Sequence, residues 1–135
     1  MFAAILLVVG IGGALWFQRP AHEDELAIPI GELRSQGFEL KLLNDYAGRD
    51  RDRRFVTAHA RHLAQSIARA RDELTSLQPT PRLAATRAAA LQRSAPWADA
   101  AAQLGAGDAQ LAPASAAQIV AAAEQLQALE DALKR

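Results

Sequence analysis

Met1 to Phe17 reads MFAAILLVVGIGGALWF, a run of seventeen residues without a charged side chain. A helix rises ~1.5 Å per residue, so the run spans about 25 Å. That is short of a hydrocarbon core ~30 Å thick, yet within the ~17–25 residues that spans use. The run therefore predicts a transmembrane anchor over residues 1–19, with Ile5, Leu6, Leu7, Val8 and Val9 in the hydrocarbon. Trp16 and Phe17 fall at an aromatic belt, Arg19 can extend its head group to the phosphates, and Pro20 discourages continuation. A cleaved signal peptide fits less well, because nothing basic precedes the run and Leu15-Trp16-Phe17-Gln18 is bulky for a cleavage site. Gly10 and Ala14 form a small-xxx-small pair that would let two spans approach.

Arg19 and Arg34 follow the run and no Lys or Arg precedes it. By the positive-inside rule the bulk of the chain then faces the cytoplasm, as in a single-pass bacterial inner-membrane protein. A periplasmic or exported location is the alternative. The chain has no cysteine, which excludes lipoprotein processing and fits a reducing compartment as well as a disulfide-free envelope protein.

Roughly 115 residues remain beyond the anchor, enough for one domain. Lys and Arg total 15 and Asp and Glu total 15, a balance that argues against a dedicated nucleic-acid binder. Residues 55–103 are richer in arginine (Arg61, Arg69, Arg71, Arg82, Arg87, Arg93) and the last stretch is slightly acidic, so one part of the chain could attract the other. Alanine makes up roughly a quarter of the chain and is the best helix former. No alternating run suggests a strand. The soluble part reads as all-α.

Residues 20–29 read as a polar connector, with Pro29 suited to the first turn of a helix. From Ile30 the spacing is helical: Ile30, Leu33, Gly37, Leu40, Leu43 and Ala47, with Phe38 and Leu42 widening the stripe. Gly37 is unfavourable in a helix by ~1 kcal/mol relative to alanine, unless another helix passes close to it. Gly48 and the charged run through Arg54 read as a solvated turn. Val56, Ala60, Leu63, Ile67, Ala70, Leu74 and Leu77 then repeat at spacings 4, 3, 4, 3, 4, 3, a coiled-coil-like seam. The two helices should form an antiparallel hairpin. Thr80-Pro81 opens a third helix with Leu83, Ala84, Ala88 and Leu91 as its apolar side, and Pro96 separates a short fourth one, ending near Leu104. Residues 30–104 thus form the hairpin plus short helices, and 105–114 a flexible linker of small residues. Residues 115–135 form an amphipathic helix, capped by Ser115 with Gln118 and burying Ile119, Ala122, Leu126, Leu129 and Leu133. Glu130–Lys134 and Asp131–Arg135 have the spacing of helix-stabilising pairs.

No catalytic, metal or nucleotide signature emerges. His59 and His62 lack the i, i+4 spacing and intervening glutamate of a helical zinc site, and Arg61 and Arg69 would oppose a cation. In the turn Gly48–Arg54, Asp50 and Asp52 halve the arginine field and no aromatic residue offers a stacking platform. Glu32, Glu39, Asp45, Asp72 and Glu73 read as surface charges. Trp97, beside Pro96 in an alanine-rich stretch, reads as an anchor of the short helix onto the hairpin or as a contact for a partner. Alanine seams bury little area, so Val56, Leu63, Ile67, Leu74, Leu77, Trp97, Ile119, Leu126, Leu129 and Leu133 are expected to be completed by a protein partner or a second copy. The sequence therefore leads to a non-enzymatic single-span membrane protein. Its helical domain would serve protein–protein interaction or scaffolding on the bilayer, with no cofactor, no metal and no evident small-molecule substrate. An anchored or exported envelope binding protein or enzyme is the alternative.

Overall fold

A polar, acidic stretch that reads as connector becomes helix in a computed structural model of the protein, which describes residues 19–49, 52–107 and 110–135. The helices are α1 (Glu23–Ala47), α2 (Arg53–Ser76), α3 (Pro81–Ser94), α4 (Trp97–Gly105) and α5 (Pro113–Leu133). Among the described residues there is no strand beyond one isolated bridge between Ala21 and Pro79, so the all-α expectation holds there. None of these helices is long and apolar enough to cross a membrane. The transmembrane part of the expectation therefore gains no support from them. The anchor positions Ile5, Leu6, Leu7, Val8, Val9, Trp16 and Phe17, and the Gly10–Ala14 pair, lie outside the described residues, as do Asp50 and Arg51 of the charged turn. Arg19, expected at the phosphates, forms an ion pair with Glu25 at 3.3 Å.

α1 starts at Glu23, and Pro29 lies inside it, not in its first turn. Glu23, Asp24 and Glu25 put negative charge at the positive end of the helix dipole. The Glu25 carboxylate accepts a bond from the His22 amide at 2.7 Å, and this bond first, then the charges of Arg19 and His22, holds its pKa below the ordinary value of 4.5 against the opposing effect of desolvation. Pro29 removes the N–H that would bond to the Glu25 carbonyl, normally a helix-breaking loss. Here its ring is fully buried next to Leu26, Ile30 and Leu33 on the inner side of α1, and that burial carries the helix through. Just before α1, the buried Ala21 donates its amide to the Gln78 carbonyl at 2.7 Å, which pins the incoming chain to the α2–α3 turn.

The contacts give the topology. Going up α1, Gly31, Gly37 and Asn44 meet Glu130, Ala123 and Leu111, so α5 runs antiparallel to it. Glu39 meets His59 and Tyr46 meets Phe55, so α1 and α2 are the expected antiparallel hairpin. On α2, Arg71 meets Ser94 and Arg61 meets Gly105, so α3 and α4 climb back along it as one arm broken at Pro96. The result is an up–down–up–down bundle. Arg71 and Arg87 of the arginine-rich stretch do not reach the acidic α5. Arg71 donates to the Leu91 carbonyl and Arg87 to those of Thr75 and Leu77, where helix ends leave carbonyls without backbone partners.

The α2 seam is inside as expected: Val56, Ala60, Leu63, Ile67, Ala70 and Leu74 are buried and Leu77 packs at its edge. Trp97, Ile119, Leu126 and Leu133 are buried too, with Leu129 partly so. The chain's own helices thus cover the seams that were expected to need a partner. Some details differ. Phe38 and Leu42 do not widen the buried stripe of α1 but stay exposed, 36% and 64%. Ala90, not Ala88, is buried on α3. Ala123, not Ala122, is the fully buried alanine of α5. That helix also starts at Pro113 without a side-chain cap, so Ser115 lies within it. The small-residue linker is shorter than expected, because Gly105 ends α4 and Pro113 opens α5. Gly107 takes φ +82°, a conformation open to glycine, and Leu111 is tied down by the hydrogen bond its backbone N–H donates to buried Asn44 Oδ1 at 2.7 Å.

At Gly37 three helices meet. A Cβ built there would lie 2.6 Å from Trp97 Cη2 and 3.1 Å from Ala123 Cβ, and Trp97 itself has no exposed surface. Gly37→Ala should therefore lower stability by about 1–3 kcal/mol despite alanine's better helix propensity, read as a lower denaturant midpoint; a raised midpoint would contradict this packing. The Glu25 bond gives a second expectation. A depressed carboxylate pKa contributes stability that is complete above its ordinary value of 4.5 and is lost as pH falls through the lower folded value. Glu25→Gln should accordingly be less stable at neutral pH. Melts across acidic pH should show the gap to the parent protein closing; a gap independent of pH would disprove the link.

Candidate functional site

Because α1 lies between α2 and α5, one side of it remains open. Large apolar side chains collect on that side and at the hairpin tip: Ile28 is 60% exposed, and Leu42 and Phe55 are comparably open. Ile28, Ser35 and Leu42 are each seven residues apart, two helical turns, and so lie in a row. Scattered single apolar residues on a surface are ordinary. Leu42 and Phe55, side by side at the tip, form a small apolar patch of the kind that marks contact with another molecule, whereas Ile28 stands about 21 Å away along α1, beyond exposed Ser35.

At the tip Tyr46 meets Phe55 edge-on, with ring centroids 5.5 Å apart and planes at 64°. Phe55 in turn stacks on His59 at 5.6 Å and 17°. His59 Nε2 lies 2.6 Å from Glu39 Oε1, which fixes the imidazole over the phenyl ring. With Leu42 and Leu43 these residues line a shallow depression. The His59 nitrogen is thus engaged by a carboxylate, and His62 is exposed. No three His, Cys, Asp or Glu side chains among the described residues come together as metal ligands. Chemically the tip offers rings and aliphatic carbon around one carboxylate–imidazole pair, a surface suited to gripping an apolar side chain.

Near the start of α1, a wide open groove holds a buried acid. Glu130 is only 4% exposed. Its carboxylate lies 3.0 Å from Arg34 Nη1, an ion pair without hydrogen-bond alignment, and is also paired with Lys134. Arg34 Nη1 additionally donates to Gln127 Oε1 at 2.5 Å. A carboxylate taken out of water needs such partners. Gly31 provides the room, since a Cβ there would sit 3.1 Å from Glu130 Oε1.

The sequence grouped Glu130 with Lys134 as a helix-stabilising pair. The pair exists, but it belongs to a link between α5 and α1. A signal was present: Ile119, Ala123, Leu126, Glu130 and Leu133 repeat at 4, 3, 4, 3, so Glu130 occupies a seam position. Asp131, expected to pair with Arg135, accepts a bond from Gln127 at 2.9 Å. Phe55 and Ile28 escaped notice because each is one or two residues out of phase with its helix's seam, which is itself the mark of an outward side chain. Trp97 is core, with the indole anchoring α4 onto the hairpin.

Removing one member of a buried ion pair leaves the other uncompensated, whereas replacing both by apolar groups is often nearly neutral. Arg34→Leu should lower stability by about 1–3 kcal/mol, discounted for the partial exposure of Arg34 and the remaining Lys134. Adding Glu130→Leu should recover most of that loss in denaturant unfolding; an additive double variant would show that the two side chains are not coupled.

No protein-family model matches this sequence, and no curated protein or solved structure is similar to it. What the chain does must be argued from its own residues.

Proposed function

We propose that this chain is a non-enzymatic, membrane-tethered interaction module: residues 1–17 hold it to a bilayer and the open side of α1, with the hairpin tip, grips a protein partner of a membrane-associated assembly. The observation that carries the reading is the contrast in burial. The seams of α1, α2 and α5 are covered from within, yet Ile28, Leu42 and Phe55 are left in water on one side. Aromatic and large aliphatic residues of that kind anchor protein interfaces.

Geometry of the tether supports the same reading. The apolar run leads to Ala21, which is bonded to the α2–α3 turn. A bilayer anchor would then leave that end of the bundle facing the lipid. α1 has 25 residues, about 37 Å of helix. Leu42 would stand about 29 Å out, within reach of a neighbouring protein and beyond the headgroups. The arginine bias after the run favours the cytoplasmic side of a bacterial inner membrane.

Three measurements test this on the full chain. Fractionation should leave it in membranes after alkaline carbonate washing and release it once residues 1–18 are deleted; an intact chain in the soluble fraction would defeat the tether. Phosphatase and fluorescent-protein fusions at the C-terminus should report a cytoplasmic bundle, and phosphatase activity would move it to the envelope side. A photo-crosslinker at position 42 should capture a discrete protein that one at exposed position 117 on α5 does not. Phe55→Ser in the protein carrying the crosslinker at position 42 should abolish that capture without shifting the melting temperature. Equal capture from both positions would remove the case for this surface.

A further inference from the structure

The depression at the hairpin tip is walled by side chains that water reaches. Leu42 and Phe55 are 64% and 52% exposed, and Glu39, Leu43, Tyr46 and His59 complete the lining. At about 270 Å³ the depression is smaller than the ~300–1,000 Å³ of small-ligand pockets, and its surface is mostly carbon. It therefore suits one large apolar side chain carried by another molecule.

The charges around it are lopsided. Each nearby acid is already engaged: Glu39 with His59 at 2.6 Å, Asp45 with Lys41 at 2.7 Å, and Asp52 as the cap that accepts from the Arg54 amide at 3.0 Å. The bases are not. Arg49 follows Tyr46 by three residues, Arg54 directly precedes Phe55, and Arg61 lies two turns further along α2. All three are exposed, and no hydrogen bond or ion pair holds their guanidinium groups among the described residues. Arg53 donates to the Gly107 carbonyl, which leaves its charge uncancelled. Asp50 and Arg51, outside the described residues, balance each other in charge. From Arg53 through Arg71 the chain has no Asp or Glu. Arg54 and Arg61 fall in one row on the exposed side of α2, with the small Ala58 between them.

These charges select the chemistry of the partner. Two tips meeting face to face would set arginine against arginine, which is penalised. On the tethered reading the tip stands several Debye lengths, each about 8–10 Å, from the charged headgroups. The complement of a guanidinium group is a carboxylate, which accepts two of its N–H bonds side by side. Resting on the reading that this tip grips a protein, we propose that the partner presents an acidic amphipathic segment. One large apolar side chain of that segment enters the depression of Leu42, Tyr46 and Phe55, and flanking carboxylates meet Arg49, Arg54 and Arg61.

Full-length protein in detergent is titrated into fluorescein-labelled peptides while anisotropy is followed. The probe repeats Glu-Glu-Leu-Phe. One control has Lys for every Glu, a second has Ser for every Leu and Phe, and an oligothymidylate serves as a phosphate polymer. The acidic apolar peptide should saturate in the micromolar range and weaken as salt is raised, because the arginines are exposed. The three controls should bind at least roughly tenfold more weakly. Arg54→Gln with Arg61→Gln should weaken the acidic peptide by roughly tenfold, and Phe55→Ser by as much. Arg135→Gln, at the opposite end of the bundle, should change nothing, and melts should show each variant folded. Equal binding of the Lys peptide or of oligothymidylate, full affinity in the folded double variant, or no saturation below about 1 mM would each overturn the proposal. So would self-association in sedimentation that Phe55→Ser abolishes, which would give the tip to a second copy. Capture at position 42 is read separately. A captured protein without charge selection among the peptides ends this inference and leaves the interaction reading in place, whereas absence of both ends both.

Discussion

Trp97 packed into the gap left by Gly37 is the contact on which the bundle turns. The indole has no exposed surface, and a single missing methyl on α1 lets it sit against that helix beside Ala123 of α5. α1, α4 and α5 are thereby locked at one point, each supplying something the others lack: a space, a large ring and a small neighbour. In a chain so rich in alanine this matters more than usual. Alanine seams make helices easily, but they are smooth and offer little to tell one register from the next.

Two further contacts work with it. Gly31 opens room for the Glu130 carboxylate, and Arg34 meets it from α1. Asn44, buried near the other end of α1, receives Leu111 as the chain turns into α5. α1 therefore carries three marks that only one alignment of α5 and α4 can satisfy. A slip of one turn would take Glu130 from Arg34, Leu111 from Asn44 and Trp97 from its space. Burying a charge and a polar amide is unfavourable in itself, and each is tolerated because its partners are in place. The same arrangement leaves the far side of α1 bare, which is why Ile28 and Leu42 remain in water.

The sequence was informative wherever one helix sufficed to decide. The spacing of Val56, Ala60, Leu63, Ile67, Ala70 and Leu74 identified the buried face of α2 without reference to a neighbour, and Pro96 marked the break between α3 and α4. Gly37 in the middle of an apolar stripe pointed to a close approach, though not to Trp97. On α5 two phases competed, one with Ala122 and Leu129 inward and one with Ala123 and Glu130. Hydrophobicity favoured the first. The second won because Arg34 and Gly31 stand opposite, on a helix about a hundred residues away in the chain.

What the sequence determined alone is the helical character of the described chain and its hairpin. These rest on local properties: alanine's lack of side-chain entropy, the 3.6-residue period, and the loss of an N–H at proline. Tertiary structure decided the start of α1, whose internal Pro29 is stabilised by burial, the phase of α5, and which apolar residues were left over on the surface. Each of those depends on what another helix presents across the gap, a space, a charge or a ring, and no stretch of sequence contains its own neighbour.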